Sequence, residues 1–282
     1  MKICGFNKTT LLDYPGKVAA TIFVGGCNFR CPFCQNSSLV VGTADQPEID
    51  REELFAFLKK RKGILEGVCI TGGEPTIHPE LPELIGEIAS LGYPVKLDTN
   101  GTSPEMVKEL YREGLIQKVA MDIKTCREKY ALVAGLRDAG GFSVRETMPE
   151  GMEVSSARET VPEGMEVSSV RETVPEEETV HPAGVSGESL TERVFTCAEY
   201  LMRCGIDYEF RTTVVKELHC EEDFIRIGRW LAGAKEYYLQ AYRDSDGVLQ
   251  RGFTTCGDEE MKHYQEILQR TIPYVGIRGM DL

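Results

Sequence analysis

The chain has 282 residues, of which 41% are hydrophobic and 27% charged, an ordinary composition for a globular protein. Its formal net charge of −13 argues against binding nucleic acid or an anionic membrane through charge, so we expect a protein or small-molecule partner. The N-terminus has no apolar signal region and nowhere do eighteen apolar residues run together, so we expect no signal peptide, no membrane span and a cytosolic location.

The first predicted strand, VAATIFVGG from Val18, leads into a run with three cysteines. This run, GGCNFRCPFCQN, holds Cys27, Cys31 and Cys34. Structural zinc usually takes four protein ligands, and no second close-spaced cysteine set exists in the chain. Iron–sulfur clusters are bound by thiolates from tight runs. Three thiolates would leave one iron of a four-iron cluster free to bind an outside molecule, so the run favours such a cluster.

Other residues of this run could support the cluster. Gly25 and Gly26 let the loop bend close to it, and Asn28 and Arg30 could offer amide hydrogen bonds or positive charge around the sulfide cage. The remaining cysteines stand too far apart for a second ligand set, and in a chain without a signal peptide most are expected to be buried free thiols. They are Cys4, Cys69, Cys126, Cys197, Cys204, Cys220 and Cys256.

Helix-like and strand-like segments alternate through the rest of the chain, which predicts right-handed βαβ units and a parallel sheet. Asp50 and Ser103 are the expected N-caps of two helices. The predicted helices are 50–62, 79–92, 103–114, 191–205, 221–233 and 258–271, and the later strands are 67–73, 94–101, 117–124, 207–215 and 235–242. These six strands, with an optional edge strand at YVGIRG, are too few for a closed eight-stranded barrel. An open partial barrel or a doubly wound sheet remains.

A tandem repeat interrupts the alternation. RETMPEGMEVSSA, RETVPEGMEVSSV and RETVPEEETV begin at Arg145, Arg158 and Arg171, with a period of 13 residues. Each unit has few large apolar residues, so we predict that 142–189 is a disordered, acidic low-complexity insertion. Both a meaningless expansion and a partner-binding segment fit this composition. We expect one domain over 1–282, with its core at about 14–141 and 190–278.

Polar and glycine residues follow the predicted strands at their carboxyl ends. TGGEP follows the second strand, DTNG the third and DIK the fourth, while RTT lies in the fifth. Ligands of parallel α/β sheets bind at this edge. Although each segment alone could be an ordinary turn, their convergence on one edge predicts a single site.

The spacing C-x3-C-x-Phe-C, followed one βα unit later by TGGEP, resembles the radical S-adenosylmethionine (SAM) superfamily. Within it, KTTLLDYPGKVAATIFVGGCNFRCPFCQN resembles the activating proteins of anaerobic ribonucleoside-triphosphate reductase, which are relatives of other glycyl-radical-enzyme activases. The resemblance covers 6 to about 141 and, more weakly, 190–278, and the repeat has no counterpart in it. It implies an α/β fold, a partial (β/α)6 TIM-like barrel with parallel strands.

The resemblance also implies cofactors and their ligands. Cys27, Cys31 and Cys34 would bind a 4Fe-4S cluster, and SAM would chelate the open iron through its amine and carboxylate. Phe33 would lie against the adenine, where an aromatic ring can stack. A place in the core of the loop is the alternative for Phe33.

The glycine-rich motif would hold the methionine part of SAM. Gly72 and Gly73 leave backbone groups bare at a strand end, and Glu74 would help to hold the ammonium group. Alone, this motif would be a common turn, and its position one unit after the cysteines is what favours the site.

Further polar residues would form the floor below SAM. Asp98, Thr99, Asp122 and Lys124 are implied there, and in some relatives the corresponding carboxylates bind a monovalent cation. An Asx-turn is the alternative for Asp98. Arg211 could pair with a carboxylate at the same rim, or in a surface or interstrand ion pair.

The implied activity is reductive cleavage of SAM to methionine and a 5'-deoxyadenosyl radical, which abstracts a Cα hydrogen from a glycine of a partner enzyme. No residue is predicted to act as acid or base, because the cofactors carry the chemistry. The implied partners are an anaerobic ribonucleoside-triphosphate reductase and an electron donor such as flavodoxin or ferredoxin, with no nucleic acid and no membrane.

Three alternatives remain at this point. One is an activase of another glycyl-radical enzyme, of formate-lyase type. Another is a radical SAM enzyme acting on a small molecule, of 7-carboxy-7-deazaguanine synthase type. From a different class comes a zinc-stabilised binding module that works through its acidic repeat. The histidines show no ligand spacing and are expected to be surface or packing residues; they are His78, His181, His219 and His263.

Overall fold

A computed structural model describes residues 1–136 and 189–280. One eight-stranded sheet runs through this part of the chain, in the order β1 to β8. Its strands are β1 (Ile3–Thr10), β2 (Ala19–Val24), β3 (Gly67–Gly72), β4 (Val95–Thr99), β5 (Lys118–Asp122), β6 (Asp207–Val214), β7 (Glu236–Ala241) and β8 (Tyr274–Arg278). β1 pairs antiparallel to β2, and β2 to β8 pair parallel with their neighbours in the chain. The predicted low-complexity insertion lies outside the described residues, apart from its last residue, Ser189.

Eight α-helices connect the strands within the described residues. They are α1 (Ser37–Val40), α2 (Arg51–Lys60), α3 (Leu81–Ser90), α4 (Pro104–Arg112), α5 (Tyr130–Val133), α6 (Leu190–Cys204), α7 (Glu221–Trp230) and α8 (Asp258–Gln269). The Asp50 side chain caps α2 by accepting from the Glu52 amide, as predicted. Ser103 makes no side-chain cap bond, and Pro104 begins α4 instead with its fixed φ. None of the helices described is long and apolar enough to cross a bilayer.

The sheet has more strands than the six predicted. The optional edge segment is strand β8, which gives seven parallel strands, and β1 was not predicted as a strand. The second half of β1 holds three consecutive exposed polar residues, Asn7, Lys8 and Thr9, so it lacks the alternation that marks a half-buried strand. β1 and β8 are the two edges of an open sheet, as expected for a partial barrel.

Alternation along the parallel strands gives the sheet one apolar face and one charged face. Ile70, Leu97 and Phe210 are fully buried in the hydrophobic core with residues of the helices. The alternate positions carry Asp98 and Arg211, among other charged groups. Because residues at i and i+2 share a face, the charged face collects polar side chains from several strands. It ends at the carboxyl edge of the sheet, where the loops after the strands meet.

Candidate functional site

One open cavity, with a volume of about 170 Å³, lies at the carboxyl ends of strands β2 to β6. The structure brings together there all twelve residues for which the sequence predicts a cofactor role. These are Cys27, Cys31, Phe33, Cys34, Gly72, Gly73, Glu74, Asp98, Thr99, Asp122, Lys124 and Arg211.

The three cysteines of the loop after β2 line this cavity as free thiols. Cys31 is buried, while Cys27 and Cys34 are half-buried. Burial raises the pKa of Cys27 to about 11 and that of Cys31 to about 12. Such thiols stay protonated at neutral pH unless a strong Lewis acid takes the sulfur, because metal binding displaces the proton. Three closely spaced soft donors facing one cavity fit an iron–sulfur cluster.

All ten cysteines of the chain are free, and most of those outside the loop are buried, as predicted. Cys204 is half-buried and Cys220 is exposed. Within the described residues, no three histidine, cysteine or acidic side chains converge closely enough to hold a single metal ion.

Two distant segments hold the cysteine loop in place. The Arg30 amide donates to the Ala134 carbonyl at 3.0 Å, and a Cβ added to Gly135 would collide with the Arg30 carbonyl. From the other half of the chain, the amides of 249 and 250 donate to the carbonyls of Cys34 and Pro32 at 3.0 and 2.8 Å. Neither segment has a periodic or motif signal in the sequence, so neither was predicted.

Gly72 and Gly73 bring the end of β3 against the cysteine loop. The Gly73 amide donates to the Val24 carbonyl at 2.9 Å, and the Glu74 amide donates to the Gly26 carbonyl at 2.8 Å. Gly72 has a φ of +122°, and a Cβ added to Gly73 would collide with the Gly26 backbone. The glycines are therefore required for this close backbone approach.

The Glu74 carboxylate points into the protein and is 1% exposed. Its Oε1 accepts from the Thr76 hydroxyl at 2.6 Å and the Thr99 hydroxyl at 2.7 Å, and its Oε2 accepts from the Asn100 amide. Burial outweighs these bonds and raises the pKa of Glu74. This carboxylate joins the ends of β3 and β4. The predicted contact of Glu74 with the ammonium group of SAM would come in addition to this structural role.

A chain of buried ion pairs forms the floor of the cavity. Arg211 contacts Asp98 at 3.1 Å and Asp122 at 2.5 Å. Lys96 pairs with Asp98 at 2.5 Å, and Lys124 pairs with Asp122 at 2.9 Å. Arg211 therefore forms an ion pair between strands and not at the surface. Three cations therefore share two carboxylates, and of the three cations Lys124 and Arg211 line the cavity.

The cations of these buried ion pairs set the protonation of the two carboxylates. Burial favours a raised pKa for Asp98 and Asp122, but Arg211 and the neighbouring lysines outweigh burial, so the pKa of each carboxyl lies below its ordinary value. Both carboxylates are ionised at neutral pH. Their oxygens already pair with side-chain cations, so a monovalent cation at this position would compete with three fixed positive charges.

Phe33 and two histidines support the site from its edges. Phe33 is 4% exposed and lines the cavity, with its ring centroid 6.5 Å from that of His219, so its position suits both a ligand contact and a core role. His219 accepts the Val215 amide at Nδ1 and bonds the Lys124 carbonyl through Nε2 at 2.8 Å. His78 bonds the Gly25 carbonyl at 2.8 Å. His219 and His78 are packing residues, as predicted; His263 is an exposed surface residue, and His181 lies outside the described residues.

Lys96 and Asn100 are site residues that the sequence analysis did not identify. Lys96 is 1% exposed and its spacing from Asp98 could have placed it, because residues two apart on a strand share a face. Asn100 belongs to the DTNG motif and lines the cavity beside the cysteine loop.

Comparison with known proteins identifies relatives of the chain. Residues 21–148 match the family model of the radical SAM superfamily. The chain is 35% identical over 287 residues to a Methanocaldococcus jannaschii protein provisionally named a glycyl-radical enzyme activating enzyme, and the alignment covers 99% of this chain and 96% of that protein. It is also 34% identical over 106 residues to the 7-carboxy-7-deazaguanine synthase of Aquifex aeolicus, an alignment of 36% of this chain and 44% of that protein.

Solved structures share the fold. SuiB of Streptococcus suis bound to S-adenosylmethionine superposes with a TM-score of 0.57 at 13% identity, over 92% of this chain and 52% of SuiB. TYW1 with a lysine-pyruvate adduct superposes with a TM-score of 0.54, over 90% of this chain and 74% of TYW1. At this identity the similarity concerns the fold alone.

Proposed function

Since this chain belongs to the radical SAM superfamily, we propose that it is an activating enzyme that generates a glycyl radical on a partner enzyme. Its cofactors are those of the superfamily, a 4Fe-4S cluster and S-adenosylmethionine. The observation that carries the proposal is the 35% identity to the Methanocaldococcus jannaschii protein, which extends over 99% of this chain. The match to the deazaguanine synthase stops at 36% of the chain and favours a small-molecule substrate less.

We propose that Cys27, Cys31 and Cys34 are the protein ligands of the cluster. They line one cavity, and thiolate sulfur is a soft donor that suits an iron–sulfur cluster. When bound, the cluster supplies the electron for reductive cleavage of SAM. The alternative of a zinc-stabilised binding module is disfavoured, because the superfamily cofactor accounts for three cysteines without a fourth protein ligand.

The rest of the cavity supports a role in binding SAM. Lys124 and Arg211 offer charged N–H donors that suit the carboxylate of an amino acid, and Asp98 and Asp122 keep both cations in place. Gly72 and Gly73 line the cavity, and Phe33 offers an aromatic surface for the adenine. These groups would bind and orient SAM, and none of them is proposed to act as an acid or base.

An anaerobic ribonucleoside-triphosphate reductase is the proposed partner. Support comes from the resemblance of 8–36 to the activating proteins of that reductase. The electron donor is proposed to be a flavodoxin or a ferredoxin. A formate-lyase-type partner is the second choice, because the matched relative is named for glycyl-radical enzymes in general.

The test is the formation of a glycyl radical. The protein is purified and reconstituted without oxygen, then mixed with SAM, a reductant and a candidate anaerobic reductase. A glycyl doublet in the electron paramagnetic resonance (EPR) spectrum, absent when the target glycine is replaced by alanine, is the expected result. A doublet with a formate-lyase-type enzyme alone would change the partner. SAM cleavage without a radical on any glycyl-radical enzyme would overturn the proposal.

A further inference from the structure

Three side chains beside the cysteine loop form a closed ring of hydrogen bonds. The Asn100 Nδ2 donates to Asn28 Oδ1 at 2.9 Å, the Asn28 Nδ2 donates to Thr102 Oγ1 at 2.8 Å, and Thr102 Oγ1 donates to Asn100 Oδ1 at 2.7 Å. Asn100 and Thr102 are 5% and 2% exposed. The ring thus joins the loop that carries Cys27 to the segment after strand β4.

The backbone fixes which way the Asn100 amide points. The Thr102 amide N–H donates to Asn100 Oδ1 at 3.0 Å, and an N–H cannot be accepted by the amide nitrogen of Asn100. Oδ1 therefore faces Thr102, and Nδ2 faces the cysteine loop. One Nδ2 proton goes to Asn28, and the other points toward Cys27 Sγ at 4.0 Å.

Cys27 Sγ has a second donor nearby. The Phe29 amide donates to this sulfur at 3.4 Å, within the cysteine loop itself. The contact from Asn100 differs because it comes from another element, whose backbone is held by the Glu74 carboxylate. The position of this donor relative to the Cys27 sulfur is therefore set in part by a segment outside the cysteine loop.

We propose that Asn100 is a positioning residue for Cys27: its side-chain amide, oriented by the Thr102 backbone N–H and by the bond to Asn28, points an N–H at the Cys27 sulfur and helps to set the reduction potential of the cluster. Hydrogen bonds to cluster sulfurs are one of the factors that tune this potential. A donor stabilises the more negative, reduced cluster, so its loss makes reduction harder. The inference rests on the proposed ligation by Cys27 and not on the identity of the partner enzyme.

The experiment compares the midpoint potentials of reconstituted wild-type protein, Asn100→Asp and Asn100→Ala, without SAM and without a partner. Redox titration followed by EPR of the reduced cluster is the readout, with iron content and thermal unfolding measured on the same samples. Both variants are expected to have a lower midpoint potential, and Asn100→Asp the lower of the two because it adds negative charge near the sulfur.

Thr102→Val is the matched control. It breaks the ring at the hydroxyl but keeps the Thr102 backbone N–H that orients Asn100, so its potential should stay close to that of the wild type. Potentials unchanged in both Asn100 variants, or shifted equally in Thr102→Val, would overturn the inference. Unfolding of both Asn100 variants would also overturn it, since the residue would then serve the fold and not the sulfur. Retention of the cluster in Cys27→Ala would instead refute the ligand assignment.

Discussion

Arg211 is shared between the carboxylates of Asp98 and Asp122, and its side chain is 15% exposed. At such a position, removing one partner of an ion pair costs more than the pair contributes, because the remaining charges stay buried. Lys96 and Lys124 still neutralise the two carboxylates when Arg211 is lost, so they limit the cost.

Replacement of Arg211 by methionine is therefore expected to lower the free energy of unfolding by about 3 kcal/mol, the low end for a buried pair. Anaerobic urea denaturation measures it. Arg251→Met is the control, because its pair with Asp246 is exposed and should change stability by less than about 1 kcal/mol. Equal losses in the two variants would show that the chain of buried charges has no special role.

Gly73 offers a second test at the level of single residues. Gly73→Ala forces a methyl group into the Gly26 backbone, so the cysteine loop has to move and the iron content after reconstitution should fall. Gly86→Ala is its control: Gly86 lies within α3 with open space around it, and alanine there should raise stability by up to about 1 kcal/mol. A full iron content in Gly73→Ala would refute the requirement for close backbone approach.

Among the elements, β6 and β8 are tied together across β7 by a charged pair. Arg278 of β8 donates to both carboxylate oxygens of Glu209 in β6, at 2.8 and 3.0 Å. Burial favours a raised pKa for Glu209, but Arg278 outweighs burial and the pKa lies below its ordinary value. Glu209 is thus more acidic in the folded chain than in the unfolded chain.

The sign of the pH dependence follows from this direction. Because the folded pKa of Glu209 is depressed, its contribution to stability is present above the ordinary pKa of glutamate, about 4.5, and is lost as pH falls through and below that value. Glu209→Gln should be less stable than the wild type at pH 7 and lose less stability between pH 6 and pH 3.5. Unfolding free energies across this range provide the measurement. Parallel curves for the two proteins would contradict the assignment.

Element boundaries could be predicted where the sequence carried a repeated signal. Six of the eight α-helices in the described part of the chain and the six predicted strands followed from apolar periodicity, and Asp50 marked a start, whereas the four-residue helices α1 and α5 were too short to give a periodic signal. β1 did not follow, because an exposed antiparallel edge strand has no buried alternation. Ser103 precedes α4 at the N-cap position, with φ −124° and ψ 66°, but makes no side-chain cap bond. Local patterns fail where a neighbouring element, and not the segment itself, supplies the stabilising contacts.

Over the whole molecule, the sequence predicted which residues line the cavity better than it predicted the contacts that hold the loops of the cavity in place. The rule that parallel strands end at one edge predicted that the TGGEP, DTNG, DIK and RTT segments meet at the cysteine loop, and the family resemblance implied which twelve residues serve the site. The hydrogen bonds from the amides of 249 and 250 to the cysteine loop could not be predicted, nor could the close approach of Gly135 to Arg30. Both depend on how irregular loops from distant parts of the chain pack. The inward orientation of Glu74 likewise depends on the three-dimensional arrangement of its donors.

The most direct test of the account is SAM cleavage by cysteine variants. Anaerobically reconstituted Cys27→Ala, Cys31→Ala and Cys34→Ala are incubated with SAM and dithionite, and 5'-deoxyadenosine and methionine are quantified. Cys204→Ala serves as the control, because this half-buried cysteine in α6 does not line the cavity. The account predicts that each of the three variants loses cleavage while Cys204→Ala keeps it. Cleavage at the wild-type rate in any of the three would contradict it.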